Sequence, residues 1–306
     1  MMHWTPKDIL MAMRQFLDNN SFFDSQLHRS YWDDKSLFWK YGTMPNRPSS
    51  GDIQRYRYFL DHAKRYNKIL LLGSTPELRD LLAERYDTSK IFLMDSSFPM
   101  ILAMTRETKR VNPKKEIWIK SLWEEPNLPS EFFDIVIGDL VLQQFPPYKE
   151  EKFLQQISNF LVPHGTFIMR CRILDEDIRK MLFNEVAAEV IRNSNHADVE
   201  CMAATLFWKV YDAFSNLKTR EIDLKKAINT LKNIQKNYLQ HPAIDCALNK
   251  LQTSRKRFPF QWRWASPNRD TLTHMLSKYF LIRNKNTSDD YMDAKLYPIF
   301  FLEKKS

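Results

Sequence analysis

Glycine is scarce in this chain: there are five in 306 residues, at positions 42, 51, 73, 138 and 165. A sequence this poor in glycine keeps it where the backbone needs a positive φ or a close approach. Cysteine is scarcer still. Cys171, Cys201 and Cys246 are odd in number, far apart and without a Cys-x-x-Cys, so neither a disulfide framework nor a zinc site is suggested, and they read as small buried apolar residues. No apolar run approaches the roughly 20 residues of a membrane span, and the opening Met1 to Asp8 lacks the basic-then-apolar pattern of a secretory signal. The expectation is a cytoplasmic protein with no membrane partner. Internal repeats and low-complexity tracts are absent as well.

What is present supports a large folded unit. A hydrophobic content of 43% is enough for a sizeable core. Lys68-Ile69-Leu70-Leu71-Leu72-Gly73 reads as a buried strand ending in a glycine turn, and Lys90-Ile91-Phe92-Leu93-Met94-Asp95 as a second strand ending in an acid 22 positions after Gly73. The helix-compatible Pro76 to Arg85 separates them. Strand, tight turn, helix, strand and acid at this spacing fit a fold that binds an adenosine-type cofactor, with the turn and helix N-terminus near the cofactor and the acid on its ribose hydroxyls. A third strand, Phe133 to Ile137, ends in Gly138-Asp139. The turn Leu161-Val162-Pro163-His164-Gly165 leads into a fourth, Thr166 to Arg170.

In these residues the chain resembles the class I S-adenosylmethionine (SAM) dependent methyltransferases, from about Arg47 to Arg170 and again from near Phe260. Leu72-Gly73-Ser74-Thr75-Pro76-Glu77 is similar to the first SAM motif in the branch that writes it Leu-Gly-x-Thr-Pro-Glu. Met94-Asp95-Ser96-Ser97-Phe98-Pro99-Met100 resembles the ribose-binding acid and the helix after it. Lys120-Ser121-Leu122-Trp123 stands where the family has Gly-Asp-Trp; Leu122 is not acidic, so a backbone or Ser121 contact would have to serve the adenine amine. Phe133 to Asp139 resembles the fourth motif, followed by Leu140. In the Leu-x-Pro-Gly-Gly turn His164 replaces one glycine. The acid customary two residues before the first glycine is Leu71 here, so the SAM amino group must find another partner. The Arg47-Pro48-Ser49 loop matches a segment of the same branch, which implies Arg47 at the SAM carboxylate, with Tyr41 or Trp39 packing on the cofactor.

The resemblance implies an α/β fold: a Rossmann-like doubly wound, mostly parallel sheet of the class I methyltransferase type. Residues 1-66 would be an N-terminal helical and aromatic segment over the cofactor site, with a helix from Asp52 to about Arg65. Residues 67-174 would be the SAM-binding core, and 175-258 a helical insertion acting as a substrate lid, helical from about Asp175 to Leu251, with Phe207, Trp208 and Tyr211 available to face inward. Residues 259-306 would supply antiparallel last strands, at Tyr279 to Arg283 and Leu296 to Leu302. Methyl transfer to a small-molecule acceptor is the implied activity. His164, Asp139 and Glu185 are candidate bases, but alignment of the nucleophile matters more in such chemistry, and none is assigned. Two other readings stand beside it. Between Lys250 and Lys285 nine Lys or Arg face the single acid Asp270, interleaved with Phe258, Phe260, Trp262 and Trp264, which suits an RNA or protein methyltransferase. The lost acids at Leu71 and Leu122 suit a non-catalytic SAM-fold binding protein.

Overall fold

A computed structural model of the chain describes residues 17–18, 36, 42–124, 126–180, 183–192, 199–237, 241–257 and 264–305. In chain order the elements are β1 (Leu17–Asp18), α1 (Ser50–Asp61), β2 (Ile69–Leu72), α2 (Pro76–Arg85), β3 (Ile91–Asp95), α3 (Phe98–Glu107), β4 (Ile117–Lys120) and β5 (Phe133–Asp139). There follow α4 (Pro147–Phe160), β6 (Leu161–Arg170), α5 (Phe183–Arg192), α6 (Val199–Ala213), α7 (Leu224–Asn237), α8 (Pro242–Arg257), α9 (Arg269–Tyr279), β7 (Phe280–Asn286) and β8 (Ile299–Lys304). The strands form one sheet in the order β1-β4-β3-β2-β5-β6-β8-β7. β8 runs antiparallel to β6 and β7, and the other pairings are parallel. This is the doubly wound, mostly parallel sheet of the class I methyltransferase type that the motifs imply.

The apolar strand runs are continuous because the sheet is covered on both faces. Leu70, Leu72 and Val136 face a cluster with Phe153 and Ile157 of α4 and Leu272 and Leu276 of α9. Ile69, Leu71, Ile135 and Ile137 face the opposite cluster, with Tyr56 and Phe59 of α1 and Leu78 and Leu82 of α2. Winding outward from β2 to β3 and β4, then back across to β5 and β6, puts the reversal of strand order between β2 and β5. Open α/β sheets bind ligands outside the carboxyl ends of the strands at this point. Here those ends carry Gly73 and Gly138-Asp139.

Several elements differ from expectation. α1 begins at Ser50, earlier than expected, because Ser49 and Asp52 form a reciprocal capping box at 3.0 Å, and it ends at Asp61. β4 lies between β3 and β5 in sequence; four residues with a lysine end give it little apolar signal. The segment before β7 is helical, so the strand starts at Phe280 rather than Tyr279. Only β8 is reversed in the sheet. In the turn that opens β6, the left-handed residue is His164, with φ +62°, so histidine takes the conformation that the family's glycine would hold.

Helices α5 to α8 share their own apolar cluster, built on Val186, Leu206, Phe207, Tyr211, Leu231 and Ile244. Phe207 and Tyr211 stack at 4.4 Å within it, and so belong to the insertion's own core. Trp208 lies under the guanidinium of Arg172, 4.7 Å from its ring centroid. The cluster is fastened to the sheet where β6 ends: buried Arg172 donates to both oxygens of Asp212 at 2.9 and 2.5 Å, and Arg220 pairs with buried Glu150 of α4. Among the described residues no helix is long and apolar enough to cross a membrane.

Candidate functional site

The site grows from the turn after β2. Gly73 has φ +86°, a left-handed conformation that side-chain-bearing residues adopt only at a cost, and its N–H donates to the Met94 carbonyl at 2.8 Å. Ser74 and Thr75 are buried behind it. Pro76 opens α2, where a missing N–H costs nothing. Thr75 gives no side-chain cap to that helix, which leaves the first-turn N–H groups without that partner and the positive end of the helix dipole beside the turn.

One strand over, Asp95 closes β3. Its Oδ2 accepts from the Ser74 hydroxyl at 2.8 Å and its Oδ1 from the Ser97 amide at 3.1 Å. Burial pushes the carboxyl up to about 6, against the opposing pull of the Ser97, Ser74 and Ser96 hydrogen bonds and the more distant Arg79. Ser96 is half-buried beside it, and Met100, one turn into α3, is buried with Met104. From the carboxyl end of β4 the Ser121 amide reaches the Asp95 carbonyl at 3.3 Å. Half-buried Leu122 follows, then Trp123, whose indole N–H shares the Met94 carbonyl with Gly73 at 2.8 Å. A Cβ on Gly73 would lie 3.3 Å from that ring. Gly73, Ser74, Asp95, Ser96, Ser121, Leu122 and Trp123 therefore converge on the carboxyl ends of three adjacent parallel strands.

On the β5 side the carboxylates are taken up differently. Arg47 meets Glu77 of α2, its Nε donating to Oε1 at 2.8 Å and its Nη2 lying 2.5 Å from the same oxygen. Asp139 is held by Arg170, Nε to Oδ1 at 2.6 Å and Nη2 to Oδ2 at 2.9 Å, so it is bound into the protein rather than left to a ligand. The same guanidinium reaches Asp52 Oδ2 at 2.6 Å and the Pro45 carbonyl at 2.9 Å. Tyr56 donates to the Gly138 carbonyl at 2.8 Å and receives the Arg170 amide at 2.9 Å. Leu140, next after Asp139, has φ +50°. Left-handed non-glycine residues store about 1–3 kcal/mol each and gather at functional sites.

The other candidates fall elsewhere. His164 sits at the amino end of β6, bonded through Nδ1 to Glu303 at 3.0 Å, away from the cleft; Glu185 is exposed on α5. Neither is placed to act as a base. Tyr41, Trp39, Phe258, Phe260 and Trp262 lie outside the described residues. Trp264 packs edge-on against Tyr148 at 6.1 Å. Two cations of the basic tract are engaged internally, Lys278 with Glu151 and Arg283 with Glu303. Sequence reasoning missed Asp52, Tyr56 and Arg170; the one visible signal was an arginine closing the apolar run Phe167-Ile168-Met169. Among the described residues no group of three or more His, Cys, Asp or Glu is placed to hold a metal.

No protein-family model matches the chain. No curated protein matches its sequence. Among solved structures it is similar to a Rhodobacter sphaeroides protein provisionally named a Zn-dependent alcohol dehydrogenase, at 14% identity over 92% of this chain and 100% of that one, with TM-score 0.57. It also aligns with an N-methyltransferase from Bradyrhizobium japonicum in complex with S-adenosyl-L-homocysteine, at 9% identity over 92% and 100% of the two chains, TM-score 0.49. Magnesium protoporphyrin IX methyltransferase from Synechocystis aligns at 11% identity over the same shares, also at 0.49. Identities this low speak to the fold alone.

Proposed function

We propose that this chain is a SAM-dependent methyltransferase acting on a small-molecule acceptor. The observation that carries the reading is the junction of Gly73 and Ser74, at the end of β2 that borders the switch point, with Asp95: a turn kept bare of side chain under an indole, and a carboxylate one strand away on β3. An adenosine cofactor fits these residues. Asp95 and Ser96 would take the ribose hydroxyls. Ser121, Leu122, Trp123 and Met100 would border the adenine, and Gly73, Ser74 and Thr75 would let the backbone approach. Arg47 and Glu77 would stand at the amino-acid end, with Leu140 along the β5 side and Asp139 holding that side in place through Arg170. When bound, SAM supplies a methyl carbon that is already electrophilic. The chain's own task is then to align an acceptor and exclude water.

What favours a small-molecule acceptor over RNA is that two of the nine cations of the tract, Lys278 and Arg283, pair with acids of the same chain. The insertion docks at the carboxyl end of β6 through Arg172 and Asp212, beside the proposed cofactor cleft, and in this reading walls the acceptor. Retention on RNA that falls steeply with salt would favour the nucleic-acid alternative. Absence of any SAM-induced thermal shift would leave only a fold without the cofactor.

Two measurements test the cofactor. Asp95→Ala should weaken SAM binding by about 1.5–3 kcal/mol, as expected for lost hydrogen bonds to a charged group; unchanged calorimetric affinity in a folded variant would remove Asp95 from the site. The pH dependence has a definite sign. The ribose hydroxyls donate to the ionised carboxyl, and the unliganded group titrates at about 6, so binding must expel its proton at lower pH. Affinity should therefore be flat above that value and fall about tenfold for each unit below it, and Asp95→Asn should abolish the slope. A wild-type profile that stays flat down to pH 5 would contradict the assignment.

A further inference from the structure

Leu71 stands fully buried in β2, and Asp139 is bound on both oxygens by Arg170, so neither offers an oxygen to a cation entering the cleft. Glu77 does. Its Oε1 is held by Arg47, while its Oε2 is buried from water with no hydrogen-bond partner. A buried carboxylate oxygen left unpaired is unfavourable until a donor arrives. Its position is apt: Glu77 lies four residues past Gly73 in the first turn of α2, and its charge is among those raising the Asp139 carboxyl at the end of β5. The Arg47 loop is itself fixed over these strand ends, since the Pro45 carbonyl accepts from Arg170 at 2.9 Å.

Resting on the cofactor reading above, we infer that Glu77 Oε2 is the acceptor for the α-ammonium group of the cofactor's amino-acid end, with Arg47 as the positioning residue that turns the carboxylate toward it. An alkylammonium supplies three N–H donors and a positive charge, which satisfies the unpaired oxygen and balances a carboxylate only partly shielded by Arg47. The acid thus reaches the cofactor from the helix after the turn, while the strand before the turn carries Leu71 and no acid.

The test compares two ligands on the full chain by calorimetry: S-adenosylhomocysteine, which carries the amino-acid end, and methylthioadenosine, which lacks it. Glu77→Gln should weaken S-adenosylhomocysteine by about ten- to a hundredfold, the range for one lost charge-assisted hydrogen bond, and leave methylthioadenosine unchanged. Glu77→Asp should recover part of the loss. Arg47→Gln should give a smaller loss confined to the same ligand. Equal losses for both ligands, or a lowered melting temperature with no change in their ratio, would mean that Glu77 only fastens α2 to the 42–48 loop, and would overturn the inference. If wild-type protein binds neither ligand, the cofactor reading itself fails. Binding of methylthioadenosine with Glu77→Gln indistinguishable from wild type on both ligands sinks the Glu77 assignment alone.

Discussion

Arg170→Met is expected to lower the unfolding free energy by about 3–5 kcal/mol, the usual cost of removing one member of a buried ion pair. The reason lies in what stays behind. Arg170 is fully buried and is the shared partner of Asp139 and Asp52, so its loss strands carboxylates where water does not reach them. The same change frees the Pro45 carbonyl and removes the tie between the 42–48 loop and the sheet. The pH dependence follows from Asp139. Burial already holds its carboxyl above the ordinary value although Arg170 pulls it down, and removing Arg170 lets it rise further. A group whose folded value is raised binds its proton more tightly in the native state. Its penalty is therefore absent below the unfolded value, about 4, and grows as pH climbs toward the folded one. Urea midpoints should show the variant nearest to wild type as pH falls to about 4 and furthest from it in the alkaline range. Adding Asp139→Asn should recover part of the deficit; an equal loss at every pH would detach the effect from the carboxylate.

That network also marks where sequence reading stops. Gly73 and Asp95 were legible because their signals are local: a glycine ending an apolar run, and an acid ending the next at a spacing set by one crossover helix. Two outer members of the Arg170 cluster are not local. Asp52 lies 118 residues from Arg170 and Pro45 lies 125, and no spacing rule links a helix-capping acid to an arginine at the far end of a strand. The sequence places Asp139 at a strand end but does not give its partner, and a strand end suits a cofactor contact as well as the internal pair it makes with Arg170. β4 escaped notice for another reason. Four residues, Ile117-Trp118-Ile119-Lys120, are too few to display a period, and they become a strand by pairing with β3 from Phe92 to Asp95. For the insertion, the helical periodicity at Leu224, Ile228, Leu231 and Ile234 did appear in the sequence. Which face it serves did not, because an amphipathic stripe can cover the sheet or a neighbouring helix equally well, and here it joins the insertion's own cluster.

Gly73→Val should abolish SAM-induced stabilisation while leaving a folded chain. Two penalties meet at this position. With φ at +86°, any side chain is strained, by about 1–2 kcal/mol for an ordinary residue and more for a β-branched one. In addition, the new Cβ would stand 3.3 Å from the Trp123 ring, and the valine methyl groups beyond it would push the indole from the Met94 carbonyl or fill the space over the turn. Either outcome obstructs the edge proposed for the cofactor. The backbone hydrogen bond from Gly73 to Met94 and the registers of β2 with β3 and β5 lie behind the turn, so the sheet should persist with a modest drop in melting temperature. Wild-type protein at about 100 times the dissociation constant should gain about 2.7 kcal/mol from the ligand; the variant should gain none. Gly73→Ala, which carries the φ strain but lacks the methyl groups, should fall between the two. A valine variant that still shifts fully with SAM would show that the cofactor does not pass over this turn, and the binding edge would then have to be sought along β5, beside Leu140.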